Sequence, residues 1–149
     1  MQSRDVTPTI AIADQPSGAD ISALREGGYV GVVNLRQDGE PEQPIGVDAE
    51  GAMVRAHGID YLHYAVGSAP LSAEGVSAVS DFIEQADGKV LVQCRKGGRA
   101  AALVLLHLAR VQGWPASEVF ERGEAIGLKV EGAGLRSLVS AYLERQAGG

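Results

Sequence analysis

Short apolar runs alternate with segments of helical periodicity along this chain, the order expected of an α/β domain with a mostly parallel sheet. "TIAIA" (residues 9–13) predicts a first strand, closed by Gln15-Pro16. "VGVVNLR" (30–36), "YLHYAV" (61–66) and "KVLVQC" (89–94) predict three more, the last of them central. They are β-branched or aromatic and bounded by glycine or polar residues, as buried strands are.

The intervening segments read as helices. "ADISALREGG" (19–28) is short and ends on a glycine pair, and "VDAEGAMVRAHG" (47–58) ends at Gly58. Ser72 is the expected N-cap of the next helix, with Glu74 in its first turn where the helix dipole favours an acid. Val76, Val79, Phe82 and Ile83 then recur at helical spacing and should face the core. Residues 99–112 form the most apolar helix, stopped by Gly113 and Pro115. Two shorter helices, about 117–126 and 133–146, complete a single expected domain, residues 1–149 with a core at about 8–146.

Composition narrows the function. A net charge of -6 argues against general nucleic-acid affinity, which needs many clustered cations. One cysteine excludes an internal disulfide and a multi-cysteine metal site, and a free thiol fits a reducing, cytoplasmic setting. No window of the sequence resembles a membrane span or a signal peptide. The three histidines, His57, His63 and His107, lack metal-ligand spacing and read as structural, so neither metal nor cofactor is expected. Anion handling in such an acidic chain must be local.

One stretch has that local character. "KVLVQCRKGGRAAALVLLHLARVQGW" (89–114) places the lone Cys94 where a strand stops and a basic, glycine-rich turn begins. Arg95, Lys96, Gly97 and Gly98 separate Cys94 from Arg99, and Ala100 follows. Glycines let successive N–H groups curl inward, and a helix starting near Arg99 adds unsatisfied N–H groups and a positive dipole end. A cysteine at that focus is expected to ionise readily, from about 8.5 down to roughly 3.5–7.5 in such settings. Arg99 could then clamp an anion bidentately above the sulfur. The plainer alternative is a small buried thiol at a strand end.

"VLVQCRKGGRA", with "VVNLRQDGE" upstream and "ADQPS" near the start, resembles the bacterial beta-lactamase-hydrolase-like family of phosphatase-like domains. The resemblance implies the fold of the cysteine-dependent protein tyrosine and dual-specificity phosphatases, with Cys94 as nucleophile and Arg99 as its anion clamp. Three departures stand out. The Cys-to-Arg loop is one residue shorter than in those phosphatases, Ala100 replaces their Ser or Thr, and "GSAPLS" (67–72), where their general acid sits, has no carboxylate. Asp60 and Glu74 are the nearest acids in sequence.

Expelling an alkoxide or phenolate, whose parent alcohol has a pKa of about 10 or more, loses about 10²–10⁴ in rate without an acid. A short loop of the rhodanese type instead suits a single sulfur atom, and sulfite leaves thiosulfate with little need of a proton. The reading favoured is therefore a sulfurtransferase: thiosulfate to a small thiol such as glutathione, through a Cys94 persulfide. The alternatives are a phosphatase with a phosphocysteine intermediate on a small phosphoester, and a non-catalytic oxyanion-binding module. Arg95 and Lys96 would extend the positive field toward an acceptor's carboxylate. Arg36, ending its strand on the same sheet edge, is a further candidate for the anion site; the alternative is an ion pair with Asp38, Glu40 or Glu42.

Overall fold

The computed structural model describes residues 1–148. Five strands form one sheet in the order β1-β2-β5-β3-β4: β1 Ser3–Thr7, β2 Ile10–Ala13, β3 Tyr29–Asn34, β4 Asp60–His63 and β5 Lys89–Gln93. β2, β5, β3 and β4 run parallel, and β1 folds back antiparallel on β2. All four parallel strands therefore deliver their outgoing loops to one edge, with β5 in the middle.

The period of two along the strands divides the core into two layers. Ile10, Ile12, Val33, Val90 and Val92 face one side, packing with α3 (Ala73–Gln85), α4 (Gly98–Gln112) and the C-terminal helices. Ala11, Ala13, Val32 and Leu91 face the other, against Ile21 and Leu24 near α1 (Gly18–Ala23) and Val54 of α2 (Val47–Ala56). Every residue from Ala100 to Ala109 is buried, so α4 is the central helix of the first layer. A Leu-to-Ala change there removes about 2–5 kcal/mol. α5 (Val119–Ala125), entered through a 3₁₀ turn at Ala116–Glu118, and α6 (Ala133–Gly148) complete the chain.

Most predicted elements form, with corrected bounds. α1 stops at Ala23, and the next residues form turns, rather than running to residue 28. Its start is set by a reciprocal capping box between Ser17 and Asp20. Ser72 caps α3 through Gly75 N–H, as expected, and Gly113 ends α4 at φ 69°. β4 ends at His63, although Tyr64 and Val66 still donate to the Asn34 and Leu35 carbonyls. β1 lies before the expected start of the core at residue 8, because an exposed edge strand needs no alternating apolar signal.

Candidate active site

Cys94 follows β5 directly, its N–H donating to the Ala13 carbonyl at 3.1 Å, so the thiol stands at the centre of the sheet's carboxyl edge. The loop then turns through Gly97, whose φ of +92° is a left-handed conformation that a β-carbon disfavours. That turn lets Gly97 N–H donate to Cys94 Sγ at 3.0 Å, while Ala100 N–H donates at 3.5 Å from the first turn of α4. Cys94 is 1% exposed, so it is at once a core residue and the focus of two backbone donors. Gly98 opens α4, and Lys96 is exposed.

Arg99 places its guanidinium on Glu40, a carboxylate that the sequence suggests only as a possible partner of Arg36. Its Nη1 and Nη2 donate to Glu40 Oε2 and Oε1, both at 2.7 Å, and Nη1 also donates to the Val66 carbonyl at 2.9 Å. The pair holds Arg99 protonated even more firmly than usual, and the adjacent Cys94 adds to that effect. Glu40 also accepts from Gln37 N–H at 2.7 Å and from Arg36 Nε at 3.2 Å. These donors, Arg99 foremost, lower its pKa to about 2. Glu40 is therefore a fixed anion that orients Arg99, and a poor proton donor.

Arg36 does not add to the anion site. It is fully buried, and its donors go to Glu40, to Gln15 Oε1 (2.7 Å) and to the Glu42 and Pro41 carbonyls (3.1 and 2.6 Å). Those bonds fold the loop after β3 and so hold Glu40 in front of Arg99. His63 Nε2 lies 2.6 Å from the Arg36 carbonyl, which accepts from it and braces the same turn. Arg95 pairs with Glu42 through Nη2, while its Nε is buried without a partner. Arg4, Arg95, Lys96 and Lys129, together with the acids Asp14, Glu42 and Glu131, line a cleft of about 670 Å³ beside the loop.

The two acids nearest in sequence are placed differently. Asp60 begins β4, paired with Gly31 at the far edge of the sheet, and cannot reach Cys94. Glu74 is exposed in the first turn of α3. The loop after β4 reaches Arg99 through the Val66 carbonyl rather than through a carboxylate. His107 is buried mid-helix, its Nδ1 2.7 Å from Ser80 Oγ, and burial lowers its pKa.

A parallel sheet, a cysteine at the end of its central strand and an arginine opening the next helix define a cysteine-loop domain of the phosphatase-like type. The chain belongs to the family described as beta-lactamase hydrolase-like protein, phosphatase-like domain, whose model matches residues 2–111. It is 33% identical over 144 residues to a beta-lactamase hydrolase-like protein of Xylella fastidiosa, covering 96% of this chain and 32% of the relative. The chain thus spans about a third of the length of that curated relative. Among solved structures it is similar to the active form of Tk-PTP (TM-score 0.75, 20% identity, covering 96% of this chain and 97% of that one). PTPMT1 is similar as well (TM-score 0.74, 15% identity, covering 99% and 97%). The fold is that of the protein tyrosine and dual-specificity phosphatases. No helix of the described residues is long and apolar enough to cross a membrane.

Proposed function

We propose that this domain is a cysteine-thiolate sulfurtransferase built on a phosphatase-like scaffold. The observation that carries the reading is Glu40. It is the carboxylate set against the Arg99 end of the loop, and two arginines and a backbone N–H hold its pKa at about 2. A carboxyl so acidic gives no useful proton to a leaving alkoxide at neutral pH. Sulfite needs none.

In the proposed reaction the Cys94 thiolate attacks the outer sulfur of thiosulfate. The S–S bond breaks with its electron pair leaving on sulfite, and Cys94 becomes a persulfide. A small thiolate, glutathione for example, then attacks the outer sulfur of Cys94–S–S⁻, takes it as its own persulfide and returns the Cys94 thiolate. Gly97 and Ala100 N–H donate to Cys94 Sγ, and Arg99, whose charge Glu40 already balances, lends N–H donors to the donor's oxyanion. The cleft beside the loop carries Lys96 and Lys129, cations that suit the carboxylates of an acceptor thiol, although Asp14, Glu42 and Glu131 share its lining.

The comparisons favour a phosphatase reading, through the family's description and the fold, whereas sulfur transfer is supported by the chemistry of the site alone. On this site it would favour small phosphoesters or anhydrides whose leaving groups depart unprotonated. Sulfite release from thiosulfate and phosphate release from an aryl phosphate, measured side by side on wild type and Cys94→Ser, separate the readings. Sulfite release lost in Cys94→Ser is the expected result. Phosphate release alone, lost in the same variant, transfers the assignment to the phosphatase. Neither product, with oxyanion binding that survives Cys94→Ala and fails in Arg99→Ala, makes the domain a non-catalytic binding module.

A further inference from the structure

A second carboxyl lies behind the first. Glu50 of α2 is completely buried, yet no arginine or lysine bonds to it. Its Oε1 accepts from Gln15 Nε2 at 2.6 Å and from Gln93 Nε2 at 3.0 Å. Its Oε2 and the Oε1 of Gln93 are both buried without a hydrogen-bond partner among the described residues. Two facing groups that already share one bond thus leave two acceptors between them, and the nearby Tyr61 hydroxyl spends its proton on the Val47 carbonyl at 3.1 Å. A proton on Glu50 Oε2 supplies the missing donor, and a buried unpaired carboxylate is strongly disfavoured against its neutral form.

Glu50 also has a directional effect through its other oxygen. Because Oε1 only accepts, Gln15 must turn its NH₂ toward Glu50 and its carbonyl toward Arg36, which donates to it at 2.7 Å. Arg36 next donates to Glu40, and Glu40 holds Arg99 by both oxygens. The chain from Glu50 to Arg99 is continuous, and it joins "VVNLRQDGE", which supplies Arg36 and Glu40, to "ADQPS", a motif that the reaction at Cys94 leaves without a task.

We infer that Glu50, as a protonated buried acid, is a positioning residue that orients Arg99 through Gln15, Arg36 and Glu40. Glu50 touches no reacting atom, and its effect rests on Arg99 being the anion clamp of the proposed function. Networks of this kind act as units, because each amide and guanidinium has one orientation that satisfies its neighbours.

The test is the Arg99 Nε–H resonance in ¹⁵N-resolved spectra of the ligand-free protein, assigned by its loss in Arg99→Lys. Gln15→Met keeps the side-chain length and cuts the relay, so the resonance is expected to move or broaden. Glu50→Leu should act likewise. Glu50→Gln, an isosteric neutral group, should leave it at the wild-type position. Gln15→Met is also expected to lower kcat/KM for thiosulfate about tenfold, the loss of one hydrogen bond to a charged group, with Glu50→Gln within about twofold of wild type. An Arg99 resonance unmoved in folded Gln15→Met overturns the relay. Glu50→Gln behaving like Glu50→Leu overturns the protonated acid. Absence of sulfite release in wild type rejects the sulfur reading alone, since the resonance decides the relay independently.

Discussion

At the scale of single residues, the site turns on how Arg99 is held. Both of its Nη groups bond Glu40, so the geometry of the guanidinium is set before any substrate arrives. Glu40→Gln keeps the shape and removes the charge, and is expected to cost about 2 kcal/mol at pH 7, as for hydrogen bonds to an ionised group. The sign with pH follows from the lowered pKa. Glu40 binds its proton less readily in the fold than the ordinary value of 4.5, so its contribution is present above that value and is lost as the pH falls toward about 2. Urea midpoints of wild type and Glu40→Gln should therefore differ at pH 7 and converge near pH 2; a gap that widens with acid contradicts the pairing. The candidate nucleophile and clamp were legible because strand, cysteine, glycines, arginine and helix follow one another within eleven residues of sequence, from Lys89 to Arg99. Glu40 was not, for it meets Arg99 across 59 positions and sits in a loop whose acids looked merely polar.

At the scale of elements, the loop works because α4 begins in a conformation that glycine alone adopts freely. Gly97 at φ +92° turns its N–H to the sulfur, and Gly113 at φ +69° ends the same helix far from the site. A β-carbon at either position meets nothing within 4 Å, so alanine adds backbone strain without a clash. Each substitution should cost about 1–2 kcal/mol of stability. Gly97→Ala is expected to lose most of the turnover with it, whereas Gly113→Ala keeps wild-type rates. Equal activity in the two variants would show that the loop's curl does not matter. The elements themselves were readable where one face is buried, as in β5 and α4. β1 was not readable, because its outward residues carry no apolar period.

At the scale of the whole molecule, two carboxyls shifted in opposite directions bracket the pH range in which the fold is firm. Burial raises the pKa of Glu50, with Arg36 from the loop after β3 and Tyr61 from β4 as its ionisable neighbours, and Arg55 lies over the Tyr61 ring. Its fold-stabilising protonated form is fully favourable below the ordinary carboxylate value, and that contribution is lost as the pH rises through the raised one. Glu50→Gln should thus gain stability relative to wild type as the pH climbs from 5 to 9, read as urea midpoints. A difference that stays constant over that range would mean that Glu50 is ionised in the fold throughout. None of this network could be read along the chain: Gln15, Arg36, Glu50 and Gln93 come from four separate segments that only the order β2-β5-β3-β4 brings together.

The central claim, that Cys94 carries a single sulfur atom, is tested most directly by intact-protein mass spectrometry after brief exposure to thiosulfate. A gain of about 32 Da, one sulfur atom, is expected on wild type, discharged by a small thiol and absent from Cys94→Ser. An unchanged mass in wild type, with aryl phosphate turned over through Cys94, would contradict the account and make phosphate the group this cysteine takes.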